Sequence, residues 1–209
     1  MKFYDCATAP SPRRVRIFAA EKGIELPTVQ VDLRGGEHFG EAFRAINPTC
    51  TVPVIELDDG TCIHESVAVC RYLEAAYPEP PLMGSDPAEQ GVVAMWDHRI
   101  ETEGFMAAAE MFRNAARGMK DHALTGPDPV AQIPELVERG RMRVGRFFET
   151  LDAQLDGHEF VIGSSYTVAD ITALVVVDFI NRLKVETPEG CVSLRRWHEA
   201  VSARPSASA

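Results

Sequence analysis

NPTCTVPVIELDDGTCIHESVAVCRYL, residues 47–73, is the stretch that decides the fold of this chain. Residues 54–57 are a short run rich in β-branched and apolar side chains, and Asp59-Gly60 is a strong hairpin-turn signal. Residues 61–63 therefore predict the returning strand. Ser66 comes directly before apolar residues at helical spacing, so the pattern predicts a helix with Ser66 as its N-cap.

Two features of this stretch suggest a ligand site. Pro53 cannot donate to a sheet ladder, and a cis bond before it would turn the backbone of Val52 toward an extended peptide. Glu65 and Ser66 place a carboxylate and a hydroxyl at a helix N-terminus, which attracts anions. This arrangement suits a ligand with both an ammonium and a carboxylate group, such as the γ-glutamyl end of glutathione. The same local pattern also fits a hairpin and a capped helix without any ligand.

The motifs Thr51-Val52-Pro53 and Glu65-Ser66-Val67-Ala68 together resemble the glutathione-binding signature of the cytosolic glutathione S-transferase family. The likeness extends over essentially the whole chain. It implies that the chain binds glutathione and activates its thiol for attack on a small hydrophobic electrophile. The glutathione ligands implied in these motifs are Thr51, Val52, Pro53, Glu65 and Ser66. The resemblance also implies a homodimer.

The amino-terminal part alternates strand and helix signals. Residues 2–5 predict a strand, Ser11-Pro12 an N-cap and first position of a helix, and residues 28–32 a second strand. A short helix over 41–46 precedes the hairpin. The order β-α-β-α-β-β-α predicts an α+β, thioredoxin-like domain with a right-handed crossover between its parallel strands.

The remaining chain carries only helix signals. Three prolines within residues 78–81 cannot continue a helix, so we expect domains at 1–78 and 88–209 joined by a linker at 79–87. Long helical runs are predicted over 86–119, 133–155 and 167–183, and a short one over 194–203. The third run is apolar almost all round, which predicts a central position. Thr167 and Asp170 form a capping-box variant at its start.

Ser11 is the first candidate for the group that activates the thiol. Residues 9–15, APSPRRV, resemble the Ser-Pro-Asn-x-Arg-x-Val segment of bacterial transferases with a theta-like or nu-like motif. In that segment the catalytic serine falls where this chain has Ala9, so the task passes to Ser11, to Thr8 or to backbone N–H groups. Tyr4 reads as a strand residue, and Cys6 lies too early for a cysteine-type centre.

His38 is the remaining candidate ligand, in the segment Gly36-Glu37-His38-Phe39. This segment is similar to a theta-like stretch whose histidine helps to hold the glycine end of glutathione. A histidine in a polar loop is also commonly only solvated.

Composition narrows the classes of function. The 209 residues carry a net charge of −10, which disfavours partners such as nucleic acid or an anionic membrane. No apolar run reaches the roughly 20 residues that span a bilayer. The start of the chain lacks the apolar segment of a signal peptide, so we expect a cytoplasmic protein. The five cysteines lack metal-ligand spacing, and no metal is expected.

Two other functions use the same features. A glutathione-dependent disulfide or thioether reductase or lyase would keep the site but exchange sulfur. A non-catalytic glutathione-binding protein would bind the same ligand without activating its thiol. Ala9 in place of the usual serine favours this alternative.

Overall fold

The computed structural model describes residues 1–209. The strands are β1 (Lys2–Asp5), β2 (Thr28–Gln30), β3 (Val54–Glu56) and β4 (Cys62–His64). The helices are α1 (Pro10–Glu21), α2 (Glu41–Ile46), α3 (Ser66–Ala76), α4 (Pro87–Arg99), α5 (Met106–Ala115), α6 (Glu135–Leu155), α7 (Val168–Arg182) and α8 (Val192–Ser202). A π-helical turn, Ile100–Phe105, joins α4 to α5.

The four strands form one sheet in the order β2-β1-β3-β4. β1 pairs parallel to β2, while β3 pairs antiparallel to both β1 and β4. Together with α1, α2 and α3 this is the predicted thioredoxin-like arrangement, and the helical remainder is confirmed as well. The second strand is shorter than predicted and the returning hairpin strand begins one residue later.

Both predicted N-cap positions are wrong, by two residues for Ser11 and by one residue for Ser66. α1 begins at Pro10, so Ala9 is its N-cap and Ser11 is its second residue. α3 begins at Ser66 itself, and Glu65 occupies the cap position. The prediction for Ser66 failed because of a tertiary contact. The Ser66 hydroxyl donates to the Ser11 carbonyl oxygen at 2.9 Å. A hydroxyl used across two helices is not needed as a local cap.

α7 is the centre of the helical part, as its apolar sequence predicts. Twelve of its fifteen residues are buried, and the capping box between Thr167 and Asp170 is present. Asp170 also accepts from the backbone of Val161 and from the indole of Trp197, which ties α8 to the start of α7.

One continuous apolar core joins the sheet part to the helices, from Phe3 and Phe18 to Leu174 and Trp197. The predicted domain bounds stay a prediction. No helix combines the length and the apolar content that crossing a bilayer requires.

Candidate functional site

Val52 presents an unpaired backbone edge immediately before β3. Its peptide bond to Pro53 is cis, and neither its N–H nor its carbonyl oxygen has a hydrogen-bond partner. The residue before it is held firmly, since the Asn47 side-chain amide donates to the carbonyl oxygen of Thr51 at 2.8 Å and to its hydroxyl at 3.1 Å. Val52 is half-buried, so an extended peptide can reach its free N–H and carbonyl.

The start of α3 offers a second set of free donors. The backbone N–H groups of Ser66, Val67 and Ala68 have no partner, as expected of a helix N-terminus that no side chain caps. Glu65 is exposed, has a positive φ of 73° and makes no side-chain hydrogen bond. The macrodipole of the 11-residue helix adds a partial positive charge at this end.

These two features adjoin the same end of the β3–β4 ladder. Val54 and His64 form the last pair of this antiparallel ladder, so Val52 precedes that pair by two residues and Ser66 follows it by two.

The first turn of α1 lies next to the start of α3. The hydrogen bond from the Ser66 hydroxyl to the Ser11 carbonyl oxygen joins the first turns of α1 and α3. Prolines occupy the first and third positions of α1, so Ser11 carries the only N–H among its first three residues. Neither that N–H nor the Ser11 hydroxyl has a hydrogen-bond partner.

Tyr4 is confirmed as a strand residue that does not face an open site. Its hydroxyl donates to Glu56 at 2.6 Å, and this hydrogen bond is the main reason that its pKa is raised to about 12. Cys6 lies in the loop before α1, with its sulfur 3.5 Å from the Thr8 hydroxyl.

His38 lies in a short 3₁₀ helix spanning Glu37–Phe39. Its ring packs against the ring of Phe39, which in turn stacks on His122 at a centroid distance of 5.5 Å. The Nδ1 atom of His38 is buried without a partner. Burial lowers the pKa of His38, and electrostatic interactions with His122 and Arg113 lower it further.

Two family models match this chain. The N-terminal domain of glutathione S-transferases matches residues 8–76, and the C-terminal domain of the same family matches residues 105–205. This chain belongs to the glutathione S-transferase family.

Comparisons with individual relatives and solved structures are consistent with this family assignment. It is 36% identical to glutathione S-transferase 2 of Saccharomyces cerevisiae over 209 residues, which cover 99% of the chain and 87% of the relative. A crystal structure of a glutathione S-transferase domain-containing protein from Marinobacter aquaeolei matches with a TM-score of 0.90, 40% identity and 99% coverage of both chains. A maleylacetoacetate isomerase of Pseudomonas aeruginosa is 41% identical over 101 residues, covering 46% of the chain and 48% of the isomerase.

An aromatic cluster lies next to α1. Phe179 of α7 lies with its ring centroid 5.9 Å from both Phe105 and Phe112. The buried guanidinium of Arg14 lies over Phe105 at 5.0 Å and donates to Glu101. Because Phe105 and Phe112 are only half-buried, the transferase fold here presents an aromatic surface beside its first helix.

Proposed function

We propose that this family member is a glutathione transferase that binds glutathione along Val52 and the start of α3 and presents its thiolate to a small hydrophobic electrophile. The observation that carries the proposal is the set of unpaired backbone groups at Val52 and at Ser66–Ala68, which adjoin the same end of the β3–β4 ladder. A tripeptide with an anionic end supplies partners for both sets.

Each end of glutathione has a complementary group. The N–H and carbonyl of Val52, held by Thr51 and followed by Pro53, pair with the cysteinyl residue in the manner of an added strand. The γ-glutamyl carboxylate takes the N–H groups of Ser66 and Val67, and the γ-glutamyl ammonium takes the free carboxylate of Glu65. His38 serves the glycine end.

Activation of the thiol falls to the first turn of α1. A free thiol has a pKa of about 8.5, and lowering it by about two units corresponds to roughly 2.7 kcal/mol of preference for the thiolate. Ser11 has both an unpaired N–H and an unpaired hydroxyl in this turn, and hydrogen bonds to the charged form lower a pKa. We assign Ser11 as the activating residue.

The electrophile binds against the half-buried aromatic rings of Phe105 and Phe112, which lie next to Phe179. Apolar and aromatic walls with few polar groups are typical of small-molecule pockets. The family's usual homodimer is part of the proposal, and the exposed apolar side chains of Val92 and Met95 on α4 support it.

Titration calorimetry with glutathione tests the binding step. Saturable heat at millimolar glutathione or below is expected, and its absence would remove the proposal. Conjugation of 1-chloro-2,4-dinitrobenzene then tests transfer of the thiol.

A second candidate uses the same thiolate for another reaction. A glutathione-dependent isomerisation is favoured by the 41% identity to the maleylacetoacetate isomerase over 101 residues. Isomerisation without consumption of glutathione would support this reaction. Reduction of a glutathione mixed disulfide would instead support a reductase, and saturable binding without any turnover would support a binding protein.

A further inference from the structure

The start of α1, which carries Ser11, has no anchor within its own sequence. Its N-cap residue Ala9 makes no side-chain hydrogen bond, and the first turn contains no acidic side chain to interact with the helix dipole. The position of this turn therefore depends on contacts with other elements. One of them is the hydrogen bond from Ser66 of α3 to the Ser11 carbonyl oxygen.

Arg13 makes the second contact, and it joins α1 to the helical part of the chain. Its Nη1 donates to Oδ2 of Asp178 in α7 at 2.6 Å, and its Nη2 donates to the carbonyl oxygen of Ala207 at 3.0 Å. The side chains of Arg13 and Asp178 are only 20% and 25% exposed. An ion pair sheltered to this degree is screened less by salt than one on an open surface.

The Asp178 carboxylate is itself held from a third helix. Nε2 of His198 in α8 lies 2.7 Å from Oδ1, so each carboxylate oxygen has its own partner. Burial alone raises the pKa of Asp178, but the hydrogen bonds from His198 and Arg13 bring it below its ordinary value. The carboxylate is therefore ionised at neutral pH and accepts from both neighbours. Arg13 thus meets a partner whose own orientation is fixed.

The residue after Asp178 belongs to the proposed electrophile site. The ring of Phe179 lies 5.9 Å from the rings of both Phe105 and Phe112. Consecutive residues of α7 therefore contact the helix that carries Ser11 and the aromatic cluster. Because α7 is almost wholly buried, it offers both contacts from one rigid support.

We propose that Asp178 is a positioning residue for thiol transfer, which acts through Arg13 to hold the first turn of α1, and with it Ser11, against α7. The inference rests on the proposed function and names what aligns its two substrate sites. Asp178 does not touch the reacting atoms. Its effect comes from geometry, since a misplacement of about 1 Å can cost on the order of 100-fold in rate.

Asp178→Ala tests this role through the thiol pKa of bound glutathione, read from the thiolate absorbance against pH. The substitution acts on this pKa in two opposite directions. Losing a nearby negative charge lowers the pKa of a thiol, whereas losing the position of the Ser11 donors raises it. A rise therefore identifies a loss of position and excludes a direct effect of charge.

Two matched variants serve as controls. Asp178→Asn removes the charge but keeps an acceptor for Arg13, so it should rescue the position of the turn. Glu21→Gln weakens a similar ion pair, with Arg204 at 2.7 Å, at the opposite end of α1. Glu21 is ten residues from Ser11, about 15 Å along the helix.

We expect Asp178→Ala to raise the thiol pKa by about 0.5 unit or more, which leaves roughly threefold less thiolate when most of the thiol is protonated. Its kcat should fall by at least the same factor, with glutathione affinity little changed. Asp178→Asn should show a thiol pKa at or below that of wild type, and Glu21→Gln should match wild type. A purely structural role would lower the unfolding temperature in Asp178→Ala without moving the thiol pKa.

The double variant Arg13→Met, Asp178→Leu repeats the test if Asp178→Ala does not fold. It removes both charges together and leaves no unpaired buried ion, which proteins often tolerate without loss of stability. The same rise in thiol pKa is expected.

An unchanged or lowered thiol pKa in the variant that folds, with glutathione bound, overturns the positioning role and leaves the proposed function standing. If wild type does not bind glutathione, or does not lower the pKa of its thiol, the proposed function and this inference fall together.

Discussion

The replacement of Val67 by proline tests whether backbone N–H groups at the start of α3 bind the γ-glutamyl carboxylate. Val67 is the second residue of α3, and its N–H has no partner in the protein. Proline removes this donor at a position where the helix does not use it. The same pattern already exists in α1, where the helical residue Ser11 precedes Pro12.

The expected loss follows from the type of bond. A hydrogen bond to a charged group contributes about 1.5–3 kcal/mol, which corresponds to a roughly 10- to 150-fold weaker glutathione affinity. Calorimetry measures this loss. Val67→Ala is the matched control, because it removes the same side chain but keeps the N–H, and its affinity should stay near that of wild type.

Thermal unfolding of the two variants separates a lost donor from a damaged helix. We expect similar unfolding temperatures for Val67→Pro and Val67→Ala. If both variants bind glutathione equally well, the N-terminus of α3 does not hold the carboxylate and the orientation proposed for the tripeptide is wrong.

Other predictions concern the thiol, the core and acid stability. Ser11→Ala should lower conjugation turnover at least tenfold, about 1.4 kcal/mol, with glutathione affinity little changed, whereas Tyr4→Phe should leave turnover unchanged; equal turnover in both variants excludes the Ser11 hydroxyl. Asp170→Ala should lower the free energy of unfolding by about 3–5 kcal/mol in urea titrations, because it leaves three buried N–H donors unpaired; a change below about 1 kcal/mol would contradict this. For Glu21, burial alone raises the pKa, but hydrogen bonds from Arg204 and Ser206 bring it below its ordinary value. Its folded-state pKa is thus below the unfolded one, so its stabilisation is present above about pH 4.3 and is lost as pH falls further. On acidification from about pH 5 to about pH 3, the unfolding temperature of Glu21→Gln should therefore fall less than that of wild type, and parallel curves would rule this out.

The order of the elements was predictable because each one has a strong local cause. The hairpin has Asp59-Gly60, α7 has an apolar sequence with a capping box, and α2 was predicted at its observed bounds, Glu41–Ile46. The caps of α1 and α3 were mispredicted because serine before an apolar run is also the pattern of a serine inside the first turn. Only the contact between Ser66 and Ser11 decides between them, and that contact joins residues 55 apart in the chain.

The residues of the candidate site likewise fall into those with a local sequence signal and those without one. Val52, Glu65 and Ser66 were found because they lie in one hairpin and the helix after it. The stacking of His122 on Phe39, next to His38, was not found, since it depends on the path of residues 116–134 between α5 and α6. No periodicity in residues 116–134 predicts that path.

The composition of the first turn of α1 limits how the thiol can be activated. A helix N-terminus stabilises a thiolate mainly through its free N–H groups, and prolines at the first and third positions leave only that of Ser11. The nearby charge of Arg14 is already paired with Glu101, so it adds little. The serine that would act at position 9 is absent. If the thiol is activated at this helix, the activation depends on one residue that donates twice, from its backbone and from its side chain. Ser11→Ala removes one of these donors and Ser11→Pro removes both, so the thiol pKa of bound glutathione, read from its absorbance against pH, should rise in two steps across the series.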